Sequence, residues 1–310
     1  MKKFVAILAV LMALCLAAAG CAAPAAEETP AAEPAAEAAP VEEAAEPPAE
    51  EAPAEETAQK VELIVFAAAS LQETLTEIGE LYQAVAPNVT LIFSFDSSGT
   101  LKTQIQEGAD CDLFISAAQK QMNQLDAAAD PEVNTEGLDF VEQGTRVDLL
   151  ENKVALVVPE GNPANINSFA DIANCESIAL GNDDVPVGQY SIEILTNLGL
   201  LEGLESGSKI TYGSNVKEVT TQVSEGAVDC GIVYATDAFS AGLTIVDQAT
   251  EDMCSQVIYP AAVLNISQHK EEAKAFLAYL QGEEAAAVFE SVGFAPVGLS
   301  LIHISEPTRH

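Results

Sequence analysis

Two serines sit where an apolar, strand-like run gives way to a helix-like one: Ser70 in FAAASL (Phe66–Leu71) and Ser98 in SFDSSGTL (Ser94–Leu101). The first turn of a helix carries unpaired backbone N–H groups and a partial positive charge. A serine at that point either caps the helix or joins those N–H groups in holding an anion. For one serine alone, capping is the commoner role. The stretch Asp96-Ser97-Ser98-Gly99-Thr100 is small and polar enough to leave its backbone donors uncrowded, and Val185-Pro186-Val187-Gly188-Gln189-Tyr190 leads into another helix with Gly188 near its mouth. Tyr234 closes an apolar run and offers a hydroxyl, although a lone tyrosine more often packs in a core. These are neutral donors, and the ligand class they suit is a small oxyanion.

An α/β framework is what would bring them together. Val61–Ala67, Val89–Phe95 and Leu113–Ser116 read as short, nearly continuous apolar strands, separated by helical spacing at Leu71, Leu75, Ile78, Leu81 and Tyr82 and again at Leu101 and Ile105. A second series follows with strands at Val154–Val158, Ile178–Leu180, Ile210–Tyr212, Gly231–Tyr234, Thr244–Val246 and Ile258–Leu264. Its helices fall near Gln189–Leu198, Val216–Ser224, Gln268–Leu280 and Glu283–Val292. Two such series imply two lobes, each a mainly parallel sheet flanked by helices, with a ligand in the cleft where strand C-termini meet. Residues 61–142 and 241–298 are expected in lobe I and 143–240 in lobe II. About 240 residues are enough for two lobes of roughly 100–120 each.

Charge and composition narrow the function. The net charge of −36 argues against nucleic acid, whose phosphates need clustered Lys and Arg. A buried dianion can still be held by neutral donors and helix ends. A serine nucleophile at Ser70 or Ser98 would need a base, and His269 is the one histidine outside the last dozen residues. There is no G-x-S-x-G, H-E-x-x-H or P-loop lysine, so the chain is not read as an enzyme. Beyond Cys15 and Cys21, Cys111, Cys175, Cys230 and Cys254 form no C-x-x-C, which leaves no direct metal ligands and the choice between disulfides and thiols open.

The two ends read differently. Residues 1–20 form a signal peptide, with Lys2 and Lys3 before the apolar Phe4–Leu16. Cys21 follows the small residues Ala17–Gly20 and resembles a lipoprotein lipobox, with ordinary cleavage near Ala23 as the alternative. A lipidated Cys21 would anchor the protein to the membrane from outside the cytoplasm. Residues 21–60 are rich in Ala, Glu and Pro and cannot build a core, so they are expected to be a disordered tether. Leu299–Arg309 reads LSLIHISEPTR and resembles a translated transposase-type sequencing adapter, so residues 299–310 are expected to be an assembly artefact.

FAAASL, SFDSSGTL, DLFISA (Asp112–Ala117), VPVGQY (Val185–Tyr190), SNVKEV (Ser214–Val219) and GIVYATDA (Gly231–Ala238), in that order, resemble the molybdate-binding ModA family of bacterial ABC transporters. The resemblance covers about residues 61–298 and implies a type II periplasmic-binding-protein fold closing on molybdate or tungstate. It implies Ser70 and Ser98 as ligands from the first lobe. From the second it implies the backbone N–H groups of Val187 and Val216 and the hydroxyl of Tyr234. DLFISA is expected to be a core strand with no donor role, and Gly99 stands where the family commonly carries a third serine. The implied protein is a monomer that needs no cofactor and delivers its ion to an ABC permease. The runner-up is a binder of another oxyanion or small organic anion on the same fold. A hydrolase using Ser70 and an adhesion module built on the tether follow.

Overall fold

The computed structural model describes residues 59–297. The signal peptide, Cys21, the tether up to residue 58 and the tail at 299–310 lie outside the described residues. Along the chain, β1 (Val61–Ala68) leads through a short 3-10 turn (Ala69–Leu71) into α1 (Gln72–Val85), then β2 (Val89–Asp96), α2 (Ser98–Gln106), β3 (Leu113–Ile115) and α3 (Gln119–Leu125). Two strands follow almost without interruption, β4 (Val147–Asn152) and β5 (Val154–Val158), and then β6 (Ile178–Gly181), α4 (Pro186–Asn197) and α5 (Leu201–Ser206). Next come β7 (Ile210–Gly213), α6 (Val216–Ser224), β8 (Cys230–Tyr234), α7 (Ala235–Ser240) and β9 (Thr244–Gln248). The chain closes with β10 (Val257–Val263), α8 (Lys270–Leu280), α9 (Glu283–Ser291) and the short β11 (Ala295–Pro296).

The strands build two sheets, in the orders β11-β4-β10-β3-β1-β2 and β7-β6-β8-β5-β9. Two α/β layers, each flanked by helices, make the expected two-lobed class. Each sheet is only half parallel. β2-β1-β3 and β7-β6-β8 run parallel, whereas β10 and β5 pair antiparallel with both of their neighbours. The cause is connectivity. A strand fed by a crossover helix returns in the same direction as its predecessor, but β5 and β10 arrive directly from the other sheet and so run the opposite way.

The same crossings correct the expected lobe limits. β4 belongs to the first sheet, through β10, and β9 belongs to the second, through β5. The chain therefore changes sheets at Lys153 and between Gln248 and Val257, instead of near residues 142 and 240. The sequence VDLLEN of β4 mixes polar and apolar residues without a period and is only half buried, so no continuous apolar run announces it.

Both layers are held by ordinary apolar burial. Leu101 and Ile105, four residues apart on α2, are fully buried against Phe66, Phe114 and Met122. Each such side chain contributes about 1.5–3 kcal/mol of burial, which fixes the helix whose first turn carries Ser98. Leu71, Leu75 and Ile78 do the same for α1 behind Ser70. Cys111, Cys175, Cys230 and Cys254 are buried free thiols.

Candidate functional site

Neither serine turns out to be a helix cap. The cap of α2 is Ser97, whose Oγ accepts the Thr100 N–H at 3.1 Å. Ser98, one residue inside the helix, is fully buried, and its Oγ accepts the Ala117 N–H at 2.9 Å. An acceptor already engaged leaves the Ser98 hydroxyl proton to be donated elsewhere. Ser70 lies inside the 3-10 turn, and neither that turn nor α1 has a side-chain cap. Its Oγ instead shares a hydrogen bond of 2.9 Å with the hydroxyl of Tyr259.

Tyr259 is a residue that sequence reasoning missed. It sits in β10 beside Pro260, where the register with β4 shifts. Proline supplies no ladder donor, and a bulge of this kind re-aims the adjacent side chain. The phenol also accepts from Asn152 Nδ2 at 3.2 Å, and the same nitrogen donates to Thr236 Oγ1 at 2.8 Å. Ser70 is thus braced by both strands that carry the chain between sheets.

From the second sheet come two helix starts and a tyrosine. Asn215 caps α6 by accepting the Glu218 N–H at 3.1 Å, which leaves the Val216 N–H at the open first turn. Proline at the start of α4 puts the Val187 N–H in the equivalent region. Gly188 makes that placement possible, because a side chain there would run into the backbone of Gly181 and Asn182 at the end of β6. Tyr234, at the end of β8, is buried and its hydroxyl donates to Ala117 O at 3.3 Å. Burial pushes the phenols of Tyr234 and Tyr259 well above the ordinary tyrosine range, so both remain protonated donors.

Ser70, Ser98, Val216 and Tyr234 line one small cavity between the sheets, together with Ala117, Asp96 and Pro186. Val187 is buried one residue behind that lining, whose α4 contribution is Val185 and Pro186. Asp96 is a carboxylate on an otherwise neutral wall, and its Oδ1 accepts the Ser97 N–H at 2.7 Å. The cavity offers about 10 Å³ to the centre of a water-sized particle, about the room of one water molecule. A wider depression of about 930 Å³ lies along the two chain crossings, lined by residues such as Lys153, Thr250 and Asp252. None of the five expected donors lines it, so the small cavity is the better site. DLFISA supplies the fully buried strand expected of it, and its end at Ala117 also lines the cavity and bonds both Ser98 and Tyr234.

One ion pair crosses between the sheets beside this cavity. Lys217 Nζ lies 2.7 Å from Glu73 Oε2 on α1 and 3.1 Å from Asp237 Oδ1 on α7. Asp237 is fully buried, with the Lys217 ammonium beside its carboxylate. Burial raises its carboxyl to about 6, with Lys217 offsetting only part of that cost. Burial alone would depress Lys217, but Asp237 and Glu73 outweigh it and hold the ammonium above the ordinary lysine value. Among the described residues, no group of three His, Cys, Asp or Glu side chains could hold a metal ion directly.

Two α/β lobes joined by two crossings, with Ser70, Ser98, Val216 and Tyr234 around a small gap between them, have the build of a solute-binding protein. The chain belongs to the bacterial extracellular solute-binding protein family, whose model matches residues 63–295. It is 39% identical over 238 residues to YvgL of Bacillus subtilis, named as an ABC transporter substrate-binding lipoprotein, covering 76% of this chain and 87% of that one. It is 33% identical over 245 residues to the molybdate-binding protein ModA of Escherichia coli, covering 76% and 90% of the two chains. A solved substrate-binding domain from Clostridium difficile, named for a molybdenum ABC transporter, aligns with TM-score 0.57 and 34% identity over 77% of this chain and 100% of that one. These relatives are binding proteins, not enzymes.

Proposed function

We propose that this chain captures molybdate or tungstate outside the cytoplasmic membrane and hands it to the permease of an ABC transporter. The observation that carries this reading is that Ser70, Ser98 and Tyr234 line one small cavity together with Val216 at the first turn of α6. The names of the relatives at 30–39% identity point the same way. Ser70 and Ser98 bind from the first sheet. The N–H groups of Val187 and Val216 bind from the second, with the hydroxyl of Tyr234 turning from Ala117 O to the ion. Each hydrogen bond to a charged oxygen contributes about 1.5–3 kcal/mol, so several together offset the desolvation of a dianion. Sulfate, with shorter bonds, leaves some of these donors out of reach. Cys21 is the proposed lipid attachment point, holding a monomer at the membrane surface.

Calorimetry with molybdate, tungstate, sulfate and phosphate tests this. The first two should bind at micromolar concentration or tighter and the others far more weakly. Absence of binding by molybdate and tungstate would remove the assignment, and tight phosphate binding would move it to another oxyanion. Ser98→Ala should weaken molybdate binding by about 1–3 kcal/mol, the cost of losing one donor to a charged ligand.

A further inference from the structure

We propose that Lys217 and Glu73 form a closure latch, a charge contact made when the lobes shut that sets how long the ligand stays. This inference rests on the reading of the chain as a two-lobed solute-binding protein. Of the ion pairs among the described residues, Lys217–Glu73 is the one that joins helices of different sheets. Its placement ties it to the site: Glu73 lies three residues after Ser70, and Lys217 directly follows Val216.

The two carboxylates around Lys217 have different parts. Asp237 shares the second sheet's lobe with Lys217, since α6 precedes β8 and α7 follows it. That pair travels as one body when the lobes separate. Asp237 is fully buried, and its carboxylate holds the ammonium in position beside the cleft. Glu73 is on the other lobe and half exposed, so opening returns it to water at little cost. A contact present in one state and absent in the other shifts the equilibrium between them. Because Glu73 is not among the residues that line the cavity, it acts on ligand retention through closure, as a positioning residue.

Glu73→Gln isolates the latch, because it keeps the size of an exposed side chain and leaves Lys217–Asp237 intact. Stopped-flow dissociation of molybdate should be roughly three- to tenfold faster than from the wild type, in keeping with a part-exposed ion pair. The unliganded melting temperature should not change. The difference in rate should shrink between about 50 mM and 0.5 M NaCl, as screening predicts. A double-mutant cycle with Lys217→Gln should show coupling in the dissociation rate and none in unliganded stability. Coupling of equal size in both would make the pair a structural contact and overturn the proposal, as would an unchanged dissociation rate.

A ligand-free measurement separates the latch from the identity of the ion. Dyes on Glu202→Cys and Glu283→Cys, exposed positions on α5 and α9, report lobe separation by single-molecule energy transfer. Glu73→Gln should lower the closed fraction of the unliganded protein. An equal closed fraction in the two proteins refutes the latch even if none of the oxyanions binds. If the wild type fails to bind molybdate while the closed fraction still falls, the ligand assignment fails and the latch stands.

Discussion

The Gly99 N–H donates to Asp184 O at 2.9 Å, from the first turn of α2 to the loop before α4, and so spans the gap between the two lobes. A Cβ on residue 99 would stand 2.5 Å from that same carbonyl oxygen, closer than atoms can approach without one of them moving. This gives a physical reason for glycine where the family commonly carries serine. Gly99→Ala should therefore separate stability from binding. Inside its own lobe the change is favourable, since alanine in a helix gains about 0.5–1 kcal/mol over glycine. Between the lobes it blocks full closure. Expected outcomes are an unliganded melting temperature equal to or above that of the wild type and an oxyanion affinity at least about tenfold weaker, near 1.4 kcal/mol. Unchanged affinity by calorimetry would show that the ligand is held without this close approach. Ser70, Ser98 and Tyr234 were legible as candidates from their places at the ends of apolar runs, and all three line the cavity. Tyr259 and Asn152 were not. Their contacts with Ser70 and each other join positions 189 and 107 residues apart, and nothing local in either strand marks them.

At the scale of elements, the proposed site draws on helix starts, and what a helix start offers is backbone. Val216 is buried, and its side chain faces the core while its N–H is at the mouth of α6. Proline is favoured at this first helical position, where its missing N–H costs the helix nothing. The preceding Asn215 is extended (φ −151°, ψ 173°), the conformation a following proline prefers. Val216→Pro thus deletes one donor and little else. It should weaken molybdate binding by about 1.5–3 kcal/mol, whereas Val216→Ala should keep near wild-type affinity despite a small loss of packing. Equal affinities for the two variants, with both helices intact by circular dichroism, would show that this N–H is not a ligand. Most elements could be read from the chain: β5 falls on Val154–Val158 as expected, and β1, β2, α8 and α9 differ by a residue or two at their ends. β4 and the antiparallel halves could not. Strand direction here depends on whether a strand is fed by a crossover helix or by a crossing from the other sheet, which is a property of tertiary connection and not of local pattern.

For the whole molecule, a net charge of −36 surrounds a site proposed for an anion. Short-range donors and the long-range field then act on different steps. Inside the gap the hydrogen bonds act at short range, so the overall charge changes their strength little. During approach the dianion must cross a repulsive potential, which lowers the encounter rate. Added salt shortens the reach of that potential from about 30 Å at 0.01 M to about 8 Å at 0.15 M. Most charged-ligand systems are steered by attraction and associate more slowly as salt rises. This protein should do the reverse, with the molybdate association rate constant increasing by several-fold over that range in stopped-flow measurements. Uncharged sucrose at matched viscosity provides the control, since it slows diffusion without screening. An association rate that falls with salt would show that local positive potential, from Lys217 and the starts of α4 and α6, dominates at the cleft mouth. The neutral cage would then be reached through a basic funnel, despite the acidic surface around it.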